Sequence, residues 1–145
     1  VHTAQEGRTM AFERDTNTER SVVPIRTGLP QSEKSLFEWA VAANGMLYTA
    51  QIPVGADGAV VGGGIEAQVK QVFANLFQTL AAAGSSAQDV AQVLIYVTDR
   101  AWLPIVNTAW LANFDKPFPN RASFVVAGLA REEMLVELVA YASVR

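Results

Sequence analysis

Cysteine is absent from this chain of 145 residues, and histidine occurs once, at His2. Without cysteine there is no disulfide framework, no thiolate nucleophile and no cysteine zinc site. A single imidazole near the chain start, with no partner, also removes imidazole metal sites and histidine-dependent triads. Basic residues are few, 11 Lys and Arg against 14 Asp and Glu, for a formal net charge of -3 and a pI of about 5.1. That balance disfavours an electrostatic footprint for nucleic acid. Apolar runs of the roughly 18 to 20 residues that span a membrane are missing, and nothing resembles a secretory leader. Half of the residues are nevertheless hydrophobic, enough for one compact domain with a real core. The expectation is a globular cytoplasmic protein without a nucleic-acid or membrane partner.

Residues 1–30 are polar, charged and poorly periodic, and are read as a mobile N-terminal arm. Met10 is a candidate start, with residues 1–9 an upstream extension. Residues 31–145 are read as a single domain. Within it, LFEWAVAAN and GMLYTAQIPV are two strands joined at Asn44-Gly45, a pair suited to the positive φ values of a tight hairpin. Asp57-Gly58 is a further turn, and AVV a short third strand. After Gly62-Gly63-Gly64 the period changes. Ile65, Val69, Val72, Phe73, Leu76 and Leu80 recur at three and four residues, which predicts an amphipathic helix ending near Gly84.

DVAQVLIYVTD, rich in β-branched residues, returns to strand character. Asp99 caps a shorter second helix with Pro104 in its first turn and Trp102, Val106, Ala109, Trp110 and Phe114 on its inner face. Strands over about 120–127 and 134–144 complete a β-β-(β)-α-β-α-β-β order. The fold class is α+β, with both helices on one face of a mixed sheet. Val125, Leu135 and Val139 with Ile95 and Val97 are expected on the other face, which a single chain cannot cover. Self-association is the simplest remedy.

The Gly62-Gly63-Gly64 run lacks the ending and spacing of a phosphate loop and reads as a helix entry. PFPNRASFVV is more informative. Alternation places Arg121, Ser123 and Val125 on one face of a strand and Ala122, Phe124 and Val126 on the other. A guanidinium on an apolar strand needs an anionic partner. Two partners fit: Glu137 of a neighbouring strand, or the carboxylate of a substrate held by the planar fork.

The stretches MLYTAQIPV, DGAVV, IEAQVKQVFANLFQTLAAAGSSAQDVAQVLIYVTD, VNTAW, FPNRASFVVAGL and MLVELVAYASV, in this order over residues 36 to 145, resemble the RidA/YjgF family of reactive-intermediate (enamine/imine) deaminases. The Gln68-x6-Asn75-Leu76 spacing, the AAG turn, the VTD strand end and the Pro-x-Arg strand start carry the likeness. The resemblance implies a chorismate-mutase-like α+β sheet of about six strands, assembled as a homotrimer with clefts between subunits. It implies hydrolysis of 2-imino or 2-enamino acids to 2-oxo acids and ammonia with no metal or organic cofactor.

By position in the motifs, Arg121 would grip the substrate carboxylate. Thr49 would supply a small hydroxyl, with Ala50 in place of a glycine. Ser123 would stand for a pocket cysteine, and Asn107 would be the helix asparagine. The first-strand aromatic falls at Leu36 or Phe37. The last strand departs from the family pattern. A Glu-x-Glu is expected there, its second glutamate orienting water, and this chain reads Glu137-Leu138-Val139. Glu137 remains as the candidate proton-transfer group, and Val139 enlarges the apolar part of the site. An enamine/imine deaminase acting on a bulkier apolar substrate is the first functional reading. A non-catalytic trimeric binder of small carboxylates is the alternative.

Overall fold

The computed structural model describes residues 20–145. His2 and Met10 lie outside the described residues, as does most of the segment read as an arm. The described part of that segment differs from the reading. Val23–Pro24 form a short strand, β1, whose partners are Ala42 and Val41, and the Ile25 amide donates to the Ala40 carbonyl at 2.9 Å. The sheet thus begins before residue 31.

β2 (Ala40–Ala43) and β3 (Met46–Gln51) form the predicted hairpin. Asn44 and Gly45 both take positive φ, 52° and 76°, as a two-residue turn matched to strand twist requires. The AVV segment contributes only an isolated bridge between Val54 and Val60. The helix α1 covers Gly64–Ala82, entered through Gly63 at φ 104° with no side-chain cap. It ends at Gly84, where the amides of Gly84 and Ser85 donate to the carbonyls of Ala81 and Leu80. This is the pairing that lets a left-handed glycine close a helix.

β4 (Val90–Val97) follows. Asp99 accepts from the Ala101 amide at 2.8 Å, capping a 3-10 turn that runs into α2 (Leu103–Asn113). β5 (Asn120–Val125) and β6 (Val136–Ser143) complete one six-stranded mixed sheet of order β1-β2-β3-β6-β4-β5. β5 runs parallel to β4 because α2 carries the chain back between them. No helix among the described residues is long and apolar enough to cross a membrane.

Among the described residues, α1 and α2 cover one face of the sheet. Leu47, Val93, Ile95, Val97, Leu138 and Ala140 meet Val72, Leu76, Val106 and Trp110 there in a continuous core. Two polar helix residues fix the loops to it. Gln68 donates to the Glu133 carbonyl and accepts from the Leu135 amide. Asn75 donates to the carbonyls of Ile52 and Val54. Seven residues apart, these two share a helix face, so the Gln68-x6-Asn75 spacing is a device for tying loops to α1.

The opposite face carries Tyr48, Ala50, Leu94, Tyr96, Phe124, Glu137, Val139 and Tyr141, related by the strand register. Of the residues expected there, only Val139 is present. Ile95 and Val97 lie beneath the helices, Val125 pairs with Val97 on the same side, and Leu135 precedes β6. β4 is apolar on both faces, so its alternation alone does not tell which row faces the helices.

Candidate functional site

Arg121 is the second residue of β5, after the Pro117-Phe118-Pro119 loop, and stands opposite Val93. Its side chain leaves the sheet on the helix side, at the edge strand, and reaches α2. Nε donates to Ser123 Oγ at 3.1 Å and Nη2 to Asn107 Oδ1 at 2.7 Å. Ser123 is on the same face because it is two residues along the strand. Beneath the guanidinium lies the Trp110 ring, with Cζ 5.0 Å from its centroid. Asn107 and Trp110 are neighbours on the surface of α2, three residues apart.

A guanidinium offers five N–H donors, and these two bonds use one on Nε and one on Nη2. Among the described residues both Nη1 hydrogens and the second on Nη2 have no acceptor, which leaves donors for an incoming carboxylate. Burial pulls the Arg121 pKa below its ordinary value, yet an arginine stays charged at neutral pH.

Glu137 is not its partner. Among the described residues the one ion pair joins Arg145 to Asp89, and β4 separates β5 from β6. Glu137 stands opposite Tyr96 on the open face, beside the Tyr96–Phe124 ring stack at 5.3 Å. Burial raises its carboxyl pKa, because an apolar setting disfavours the charged form. Val139 lies on the same face, flanked in register by Ala50 and Leu94.

The predicted site residues therefore fall into two groups. Arg121, Ser123 and Asn107 converge on the helix side, at the β5 edge. Ala50, Glu137 and Val139 share the open face. Phe37 precedes β2, half-exposed, with its ring edge-on to Trp39 at 5.1 Å.

Thr49 joins neither group, and the expected substrate hydroxyl is corrected. It is buried, donates to the Trp39 carbonyl at 2.6 Å and accepts from Gln51 Nε2 at 2.9 Å. Alternation with Leu47 and Gln51 turns it into the core, where Gln51 also donates to Thr79 of α1. The residue sequence reasoning missed is Trp110, read there as core only. Its signal was the three-residue spacing from Asn107.

Residues 29–144 match the family model described as Endoribonuclease L-PSP. A RutC family protein from Pyrococcus horikoshii is 32% identical over 108 residues, 72% of this chain and 86% of the relative. A 2-iminobutanoate/2-iminopropanoate deaminase from Bos taurus is 32% identical over 76 residues, 52% of this chain and 56% of the relative. Among solved structures, RidA from an Antarctic Psychrobacter bacterium superposes with a TM-score of 0.75 at 27% identity, covering 83% of this chain and 98% of that one. With this sheet order, these helices and a model match spanning most of its length, the chain belongs to the Endoribonuclease L-PSP family, the RidA/YjgF proteins.

Proposed function

We propose that the protein is a homotrimer hydrolysing 2-imino or 2-enamino acids to 2-oxo acids and ammonia, in clefts where one copy's Arg121 meets another copy's open face. The observation that carries this reading is the Arg121 guanidinium. It is oriented by Ser123 and Asn107 and has neither a carboxylate partner nor an acceptor for its other N–H donors among the described residues. Support for the assembly comes from the open face. Tyr48, Tyr96, Phe124, Val139 and Tyr141 leave apolar surface there that the described residues do not cover. A closed ring would lay that face against a neighbour.

In such a cleft Arg121 holds the substrate carboxylate and fixes C2 of the imine. Water adds to C2, a proton passes from the new hydroxyl to nitrogen, and the C–N bond breaks to give the oxo acid and ammonia. Glu137 is the group for the proton transfer. Its raised pKa brings it closer to neutrality, where a general acid or base is most useful. Val139, with Ala50 and Leu94 beside it, favours a larger apolar side chain over a small one. A ribonuclease role, which the family description suggests, is disfavoured by the acidic balance of the chain.

A second reading, a trimer that binds small carboxylates without turning them over, is favoured by Val139 in place of a carboxylate. One measurement separates the two. Imines are generated in situ from amino acids of increasing side-chain size, and ammonia release is compared with the spontaneous rate. Acceleration that grows with apolar side-chain size supports the hydrolase. Binding of 2-oxo acids without acceleration supports the binder, and neither effect rules out both.

A further inference from the structure

The two hydrogen bonds on Arg121 are made by Nε to Ser123 Oγ and by Nη2 to Asn107 Oδ1. Among the described residues neither bond holds Nη1. The third contact is the Trp110 ring, over which the guanidinium Cζ sits 5.0 Å from the centroid, inside the roughly 6 Å range of a cation–π contact. That ring cannot itself move aside. Trp110 is 5% exposed, and Phe114 lies 4.6 Å from it with Phe118 at 6.5 Å.

We propose that Trp110 is a positioning residue, an indole stop that holds the Arg121 guanidinium in place and presents its remaining N–H donors to a carboxylate. The proposal rests on the reading of Arg121 as the anchor. It explains why an arginine at an exposed sheet edge is held by Ser123, Asn107 and Trp110 together. Ordering the fork in advance reduces what is lost when a ligand arrives, and an aromatic face does so without consuming an N–H donor.

The test uses the full chain, with 2-oxobutanoate as carboxylate probe, in the native protein and the variants W110F and W110L. In the ligand-free native protein, the Arg121 Nε–H resonance should be sharp and displaced by the indole ring current. It should move partway toward the free position in W110F and fully in W110L. Probe affinity should weaken by about 2- to 5-fold in W110F and by about tenfold in W110L. In an R121K background the same changes should have little effect, since the planar fork they orient is gone.

An unshifted, averaged Arg121 signal in the native protein overturns the proposal, as does equal weakening by W110L with and without Arg121. W110F preserves an aromatic core should W110L fold poorly. If the signal is held by Trp110 but no protein binds the probe, the positioning role stands and the carboxylate reading fails.

Discussion

Arg121 and Glu137 stand on opposite faces of one sheet, the first toward α2 at the β5 edge, the second on the open side of β6, with β4 between them. Their strands are close, but the sheet itself separates their side chains. A reaction that needs both must take them from different copies.

Shared sites of this kind can be complemented. R121A and E137A should each lack imine hydrolysis. Unfolded together in equal amounts and refolded, they should regain activity in about a quarter of the sites, where an intact Arg121 meets an intact Glu137. Recovery absent from a mixture that does assemble would place both groups in one subunit's site or remove one of them from it.

R121K tests the fork. Lysine keeps the charge but meets a carboxylate as a point, without the two parallel bonds or the contact with Ser123 and Asn107. Affinity for 2-oxo acids should fall by about tenfold or more, with the melting temperature little changed because the position is at a sheet edge. Unaltered affinity in calorimetry would mean that Arg121 is structural.

Glu137 gives stability a pH dependence of definite sign. Burial raises its folded-state pKa above the ordinary 4.5, so the folded protein holds this proton more tightly than the unfolded chain. Its contribution is most favourable below the unfolded value and is lost as pH rises through the folded one. E137Q removes the charged form. Urea titrations should show E137Q gaining on the native protein as pH rises from 4 to 7, and a gain independent of pH would refute a buried carboxyl.

Asn75 is expected to matter for stability alone. Its amide serves two carbonyls after β3, and N75A leaves those acceptors without it at a cost of about 2 kcal/mol or more. Denaturant unfolding measures this directly. A loss below about 0.5 kcal/mol would show that water replaces the amide.

How far the sequence made this legible depended on whether the determining physics was local. The Asn44-Gly45 turn and the Gly84 helix stop are set by backbone chemistry within a few residues, and both lie where pattern predicts. β1 was not legible. Val23 and Pro24 sit in a polar stretch, and only pairing with β2 makes them a strand. The Arg121–Ser123–Asn107 cluster follows from motif positions, whereas Thr49 was misplaced because a matched position says nothing of the hydroxyl's direction. Its alternation with buried Leu47 did, but Gln51 on the same row is polar and obscured the pattern.

The remaining prediction concerns Val139. In register with Ala50 and Leu94, it occupies the strand position where the family resemblance expects a water-orienting glutamate. Glu137 is about 6 to 7 Å away along the strand, on the same face but displaced by a full side-chain repeat. The native protein should therefore hydrolyse the small imine derived from serine slowly, since a valine there removes a water site and adds apolar contact. V139E should raise that rate by an amount on the order of 10² or more, within the usual range of general acid–base help. It should also weaken binding of long apolar oxo acids, because a carboxylate replaces the surface they contact. A stability loss should accompany the gain, as the new carboxyl is poorly solvated and has its pKa raised. Single-turnover rates on small and large imines, with melting curves for both proteins, decide the matter. Efficient native turnover of the small imine, with no gain in V139E, would show that Glu137 already performs the transfer from its own position.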